Sequence, residues 1–242
     1  MEPILVYGHP LGSSMGLIAA FEWLGQPYRL TRVKMVEEML TPEFTRLNGR
    51  QETPVLITHE GQVITETIAI TSWLESRDVE RRISFGPASR ESHSMHQLIG
   101  FLNTGFTGAF SPLWSALEMT PPDPGYQEAL RRYGREQVRD RHRRLEQMIG
   151  DASHLNGPYL MGETPRLADA VFAGVARWAD FHEVFEPGAF PRVERLKQRL
   201  HDDAAVKFAL RIEDGETPES PAFRGHVPLR DALAMARIDA RE

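Results

Sequence analysis

The strand-forming pattern of this chain stops near residue 82, and that change limits the folds open to it more than any other feature. Short apolar or alternating runs predict β-strands over 4–7, 28–33, 54–58 and 62–65. Segments with helical spacing lie between these runs and after the last of them. The predicted order β-α-β-α-β-β-α makes a complete small α/β domain whose last two strands form an antiparallel hairpin.

Beyond residue 82 the pattern is helical. Apolar residues at helical spacing predict helices over 95–110, 126–149, 167–181 and 193–210, with a Gly- and Pro-containing linker over 84–89. We therefore predict an α/β domain over 1–82, an all-helical domain over 83–210, and a polar C-terminal extension over 211–242 with a short helix at 229–236.

The amino-acid composition excludes several kinds of reaction and binding site for this chain. The 242 residues include no cysteine, which excludes disulfides, thiolate metal ligands and any mechanism with a protein thiol as nucleophile. A formal net charge of −6 argues against a surface for nucleic acid or an acidic membrane. Neither a secretion signal nor a membrane span of roughly 18 apolar residues is present, so we expect a cytoplasmic protein. The preference for Arg over Lys favours a bacterial source.

Two motifs suggest chemistry that the rest of the chain does not support. Residues 12–16 satisfy the G-x-S-x-G pattern of hydrolases between a strand and a helix. A Ser-His-Asp hydrolase needs further strand–helix units to supply its acid and its histidine, and none follows residue 82. His93 and His96 lie one helical turn apart but lack a third ligand, so no metal site is predicted.

The informative segments are Thr53-Pro54 and Glu66-Thr67. A proline that opens a strand cannot donate a ladder hydrogen bond, and a cis bond before it turns the N–H and C=O of Thr53 toward a peptide-like ligand. Where the last strand ends and a helix begins, backbone N–H groups and a hydroxyl can bind a ligand carboxylate, and Glu66 can bind a ligand ammonium. This pattern predicts a site for an α-amino acid end group, with a simple helix cap by Thr65 or Thr67 as the alternative.

Together these segments resemble the glutathione S-transferase family, in particular its bacterial beta- and theta-like members. The resemblance covers about residues 3–205 and includes LNGRQETPVL, ITETIAITSWL, AFSPLW and RLADAVFAGVARWAD. It implies a thioredoxin-like N-terminal domain, an all-helical C-terminal domain, glutathione as cosubstrate, and a homodimer. Departures from the family pattern are Gly49, Glu52, Arg166 and Thr107.

The resemblance also assigns residues to bound glutathione and to its partner substrate. Glu66 and Thr67 would hold the γ-glutamyl end, Thr53 and Pro54 the cysteinyl unit, and Arg50 or Gln51 the glycyl carboxylate. Ser13 is the first candidate to activate the thiol and Ser14 the second, although both serines could instead cap the helix. The predicted pocket for an apolar, in particular aromatic, electrophile consists of Tyr7, His9, Leu11, Phe106, Phe110 and Trp114.

The function that this resemblance implies is a glutathione transferase that activates the thiol of bound glutathione for attack on a small electrophile. The alternative is a protein of the same fold that binds ligands or partner proteins without catalysis. A thiol–disulfide reductase that uses a protein cysteine is excluded by composition.

Overall fold

The structure is a computed structural model that describes residues 1–151 and 157–237 and divides into two compact units. The first consists of Met1–Phe85 together with Asp202–Glu242, and the second of Gly86–His201. The sequence placed 202–210 in the helical domain and 211–242 in a separate extension, whereas the structure groups the described residues 202–237 with the sheet.

The first unit contains the predicted α/β pattern in its predicted order. Its elements are β1 Ile4–His9, α1 Met15–Leu24, β2 Tyr28–Lys34, a 3-10 turn Glu38–Leu40, α2 Pro42–Leu47, β3 Val55–Ile57, β4 Val63–Thr65 and α3 Thr67–Arg77. β1 pairs in parallel with β2 and antiparallel with β3, and β3 forms the antiparallel hairpin with β4. The prediction of a thioredoxin-like N-terminal domain is confirmed.

Local chemistry explains where these helices begin and end. α1 ends at Gly25, whose φ of 72° is left-handed and whose N–H donates to the carbonyl of Phe21 at 3.0 Å. α2 begins after Thr41, whose side-chain oxygen accepts from the N–H of Phe44 at 3.3 Å, with Pro42 at the first helical position.

The second unit is helical. It contains α4 Arg90–Gly100, a π-helical turn Phe101–Phe106, α5 Ser111–Glu118, α6 Pro124–Asp151, α7 Leu167–Val175, α8 Trp178–Phe181 and α9 Pro191–Asp202. The single helices expected over 95–110, 167–181 and 193–210 are each interrupted. The core residue Asp169 accepts from the N–H groups of Leu160 and Arg166 at 2.9 and 2.8 Å, so its carboxylate anchors the start of α7.

The chain then returns to the first unit with α10 Ala204–Glu213, β5 Phe223–His226 and α11 Leu229–Met235. β5 pairs in parallel with β2, and the sheet order is β4-β3-β1-β2-β5. The short helix expected near 229–236 is confirmed, whereas β5 was not predicted. One apolar cluster joins Ala232 of α11 to Phe44 and Leu47 of α2.

The next two findings apply only to the described residues, 1–151 and 157–237. In them, no helix combines the length and apolar character needed to cross a lipid bilayer. The same residues contain no cluster of three or more histidine or acidic side chains arranged to hold a metal ion, and both His93 and His96 are exposed on α4.

Candidate functional site

Three segments of the first unit meet at one end of the sheet. The β1–β3 ladder pairs Val6 with Val55, and the β3–β4 ladder pairs Val55 with Thr65. Continuing the β1–β3 register by two residues sets Gly8 opposite Thr53, and Thr67 begins α3 two residues after Thr65, just past the end of β4. The loop after β1, the turn before β3 and the start of α3 therefore share one edge.

Gly8 and Thr53 lie in close contact. A β-carbon on Gly8 would lie 2.5 Å from Oγ1 of Thr53 and 2.7 Å from the side chain of Met35, so a larger residue would displace these side chains. The Thr53–Pro54 peptide bond is cis. In the described part of the chain, the N–H and C=O of Thr53 make no hydrogen bond, so both remain available to a ligand.

The loop after β1 separates the roles of the two serines. Ser14 is 1% exposed, and its Oγ accepts the N–H of Gly8 at 3.1 Å, so this hydroxyl closes the loop onto the strand. Ser13 is half-buried, and its hydroxyl has no hydrogen-bond partner among residues 1–151 and 157–237. The structure therefore ties Ser14 to the fold and leaves Ser13 as the serine that can meet a ligand.

The start of α3 is uncapped and strained. The first helical hydrogen bond runs from the N–H of Ile70 to the carbonyl of Glu66 at 3.0 Å, and no side chain caps the preceding N–H groups. Glu66 has φ 72° and ψ 128°, a conformation that costs a residue with a side chain about 1–3 kcal/mol. The alternative of a simple cap by Thr65 or Thr67 is therefore not what the structure shows.

Charged side chains form an exposed group beside this helix start. Arg50 Nη1 lies 2.9 Å from Glu66 Oε1, and Arg50 Nε lies 3.2 Å from Glu52 Oε2. All three side chains are more than half exposed. Arg50 is therefore shared between two carboxylates, and Glu66 keeps its second oxygen for another cation.

Asn48 orders the loop that carries Arg50 and Gln51, and sequence reasoning missed it. Its Nδ2 donates to the carbonyl of Glu52 at 2.8 Å, and its Oδ1 accepts the N–H of Arg50 at 3.0 Å. Gln51, at φ 58°, donates from Nε2 to Thr45 Oγ1 at 3.0 Å. An Asn placed directly after a helix and before Gly was the available signal, because Asn side chains often bond the backbone two residues on.

Tyr7 belongs to the core and not to a pocket, which corrects its predicted role. It is 0% exposed, its hydroxyl donates to the carbonyl of Ile212 at 3.3 Å, and it lies 3.1 Å from His226 Nε2. Burial raises the pKa of the Tyr7 hydroxyl above its usual range, so it stays protonated. Sequence analysis could not find this buried role, because the hydrogen-bond partners of Tyr7 are more than 200 positions away in the sequence.

His9 and Leu11 lie in the loop after β1, as predicted. Arg32 Nη2 lies 3.2 Å from His9 Nδ1, and burial together with the Arg32 charge lowers the pKa of His9. Leu11 is half-buried and has φ 58°, so the loop turns sharply there. The role of these two residues in the electrophile pocket stays a prediction.

Two of the predicted pocket residues in the helical unit are core residues. Phe106 and Phe110 are 0% and 1% exposed, and the ring of Phe106 packs 5.8 Å from Phe172 in an edge-to-face arrangement. Trp114 is only part-buried, and its ring stacks 5.4 Å from the exposed ring of Phe181. Of these three residues, only Trp114 presents part of its ring to solvent.

Comparison with known proteins agrees with this geometry. Residues 14–77 match the sequence model of the glutathione S-transferase N-terminal domain. No curated protein sequence matches the chain. A glutathione S-transferase from Xylella fastidiosa is 20% identical with a TM-score of 0.75, over 89% of this chain and 100% of that one.

Two further solved structures carry bound glutathione. A glutathione transferase homologue from Lodderomyces elongisporus, with two glutathione molecules per subunit, is 17% identical with a TM-score of 0.77, over 88% of this chain and 99% of that one. A sphingomonad glutathione S-transferase in complex with glutathione is 17% identical with a TM-score of 0.72, over 87% of this chain and 98% of that one. The chain thus has the glutathione S-transferase fold and contains an N-terminal domain of the glutathione S-transferase family.

Proposed function

We propose that this protein binds glutathione at the edge formed by Gly8, Thr53 and Thr67 and activates its thiol for attack on an apolar, aromatic electrophile. The observation that carries the proposal is the uncapped start of α3 beside the Glu66 carboxylate. An α-amino acid end group needs an anion site and a cation site side by side, and this helix start offers both.

The γ-glutamyl end of glutathione fits the α3 start in one orientation. The free N–H groups at the start of the helix and the Thr67 hydroxyl bind its carboxylate, because the positive end of the helix dipole favours an anion. Glu66 binds its ammonium. The unpaired N–H and C=O of Thr53 pair with the cysteinyl unit, as a strand edge pairs with an extended peptide.

Ser13 is the proposed activating residue. Its hydroxyl, at the start of α1, donates a hydrogen bond to the sulfur and favours the thiolate over the thiol. The proton leaves to solvent, the thiolate attacks the electrophilic carbon, a sulfur–carbon bond forms, and the leaving group departs with its electron pair. Arg50 or Gln51 remains the proposed partner of the glycyl carboxylate.

The test combines retention on immobilised glutathione with turnover of a generic aromatic electrophile, for the wild type, Ser13→Ala and Ser14→Ala. We expect Ser13→Ala to be retained and to lose about 100-fold in kcat/KM, of the order that an activating group supplies. Ser14→Ala should lower the unfolding free energy by about 1–3 kcal/mol, because it leaves the buried N–H of Gly8 without an acceptor.

The possible outcomes separate the main proposal from its alternative. A wild-type chain that is not retained contradicts glutathione binding itself. Retention without turnover identifies a non-catalytic glutathione-binding protein of this fold. Full activity in Ser13→Ala keeps the transferase and rejects Ser13 as the activator. We further propose that the protein is cytoplasmic and forms a homodimer. Light scattering of the purified protein measures its mass and so checks the homodimer.

A further inference from the structure

The C-terminal part of the chain reaches the candidate site through Glu213, the last residue of α10. Its Oε1 accepts the N–H of Gly12 at 2.9 Å, and the residue is only 6% exposed. Gly12 lies between Leu11, which has φ 58°, and Ser13. The bond therefore holds the loop residue directly before the proposed activator, from 201 positions away in the sequence.

Helix α10 is fixed against α1 at both of its ends. At its start, Asp203 Oδ1 accepts the indole N–H of Trp23 at 2.9 Å, near the end of α1. At its end, Glu213 binds Gly12, just before α1 begins. The two helices therefore run in opposite directions, and their packing sets where the Glu213 carboxylate lies.

Arg32 of β2 holds the other end of the same loop. Its Nη2 donates to the backbone carbonyl of Glu213 at 2.8 Å and lies 3.2 Å from His9 Nδ1. The loop is thus bonded at His9 through Arg32 and at Gly12 through Glu213. A β-carbon on Gly12 would lie 2.1 Å from the carbonyl oxygen of Gly8, so the loop has no room to relax inward.

The placement of Glu213 works against helix stability. A carboxylate at the last residue of a helix faces the negative end of the helix dipole, and burial removes it from water. Two features offset this cost: the bond from the Gly12 N–H and the nearby Arg32 guanidinium. The first bond runs to the loop after β1, whereas the second also satisfies the backbone carbonyl of Glu213 at the C-terminal end of α10.

We infer that Glu213 is a positioning residue that fixes Gly12 and thereby holds the Ser13 hydroxyl against the sulfur of bound glutathione. The inference rests on the proposed function. Because Glu213 acts through the loop and not on the γ-glutamyl end, its loss should affect thiolate formation much more than glutathione affinity. A glutamine in its place keeps an acceptor oxygen and should preserve this effect.

The experiment compares the wild type, Glu213→Ala, Glu213→Gln and the control Glu216→Ala. Glu216 is exposed on the same segment and pairs with Arg211, away from the loop. Three quantities are measured for each protein: the dissociation constant of glutathione, the pH profile of thiolate absorbance of bound glutathione, and amide hydrogen exchange at Gly12.

We expect Glu213→Ala to raise the midpoint pH of thiolate formation by about one unit. At any pH below the midpoint, this rise leaves about tenfold less thiolate. Its dissociation constant should change less than about twofold, and exchange at Gly12 should accelerate at least about tenfold. Glu213→Gln should restore the wild-type profile, and Glu216→Ala should match the wild type throughout.

The outcomes that contradict the inference differ from those that contradict the proposed function. A wild type that does not bind glutathione overturns both. Binding and thiolate formation in the wild type with an unchanged profile in Glu213→Ala overturn the inference alone. Equal losses of affinity and thiolate formation in Glu213→Ala and Glu213→Gln also overturn it, because they indicate a general structural role.

Discussion

At the scale of single residues, Glu66 is where stability and the proposed function oppose each other. Its φ of 72° suits glycine, while its carboxylate is the proposed partner of the glutathione ammonium. We predict that Glu66→Gly raises the unfolding free energy by about 1 kcal/mol through relief of backbone strain. The same variant should lose at least about tenfold in glutathione affinity, as measured by calorimetry.

Glu66→Gln is the matched control for this prediction, because it keeps the strained backbone and removes the charge. It should match the wild type in stability, since exposed ion pairs such as Arg50–Glu66 contribute little. It should weaken glutathione binding in the same direction as Glu66→Gly. Stability that falls in Glu66→Gly would show that this backbone is not strained in solution.

His142 gives the second unit a defined dependence on pH. The residue is 3% exposed, its Nδ1 donates to the carbonyl of Val138 at 2.8 Å, and burial lowers its pKa to about 4. Between pH 6.5 and 4 the unfolded chain takes up a proton that the folded chain does not. Acidification therefore lowers the unfolding free energy, by roughly 3 kcal/mol over this window.

The variant His142→Phe isolates this effect, since phenylalanine suits the neighbouring rings of Phe106 and Phe185. We predict that the wild type loses roughly 3 kcal/mol relative to this variant between pH 7 and pH 4, measured by urea denaturation. Burial raises the pKa of Asp169 to about 7, but that carboxyl is present in both proteins and cancels in the difference. Parallel pH profiles would contradict the prediction.

At the scale of elements, the loop between α2 and β3 controls the charge beside the proposed glutathione site. Glu52 and Glu66 share Arg50, so the cation that would meet the glycyl carboxylate is partly neutralised. Exposed ion pairs of this kind are worth about 0.2–1 kcal/mol. We predict that Glu52→Gln releases Arg50 and lowers the dissociation constant of glutathione about two- to fivefold.

The double variant Arg50→Gln/Glu52→Gln tests the cause. Without Arg50, the gain from Glu52→Gln should largely disappear, because no cation is left to release. A gain that persists in the double variant would mean that Glu52 acts by repelling the glutathione carboxylates directly. Calorimetric titration at low salt gives the clearest comparison, since salt screens exposed charges.

The elements that the sequence predicted are those whose pattern is local. Alternating or continuous apolar runs bounded by Gly and Pro marked the first four strands, and helical spacing marked α1 and α3. β5 was missed because its four residues, Phe-Arg-Gly-His, have no apolar alternation and form a strand only by pairing with β2. The π-helical turn at Phe101–Phe106 likewise has no signature in spacing.

The same distinction explains which residues the sequence could propose for the candidate site. Thr53, Pro54, Glu66 and Thr67 occur at element boundaries, where the sequence itself limits the backbone and exposes its polar groups. The burial of Tyr7, Phe106 and Ser14 depends on partners that only the folded chain supplies, so residue type alone did not reveal it. Glu213 could not be found from the sequence, because its bond to Gly12 joins residues at opposite ends of the chain.

At the scale of the whole molecule, the C-terminal stretch completes the sheet-containing unit. β5 covers the edge of β2, and Thr31 Oγ1 donates to the carbonyl of Val227 at 3.0 Å just beyond the strand. β5 becomes the edge strand in place of β2, and its four residues offer a shorter edge for pairing between molecules than the seven of β2. The chain therefore uses residues far beyond its α/β pattern to finish the unit that carries the proposed site.

Docking of α11 on α2 should be essential to that completion. Ala232 is 0% exposed in the cluster with Phe44 and Leu47, whereas Ala234 on the same helix is exposed. We predict that Ala232→Glu lowers the unfolding free energy by roughly 3 kcal/mol, because the buried carboxylate expels the helix. Ala234→Glu, with the same change of charge, should remain within about 0.5 kcal/mol of the wild type. Limited proteolysis should cut Ala232→Glu near α11 first, and equal stability of the two variants would show that the contact contributes little.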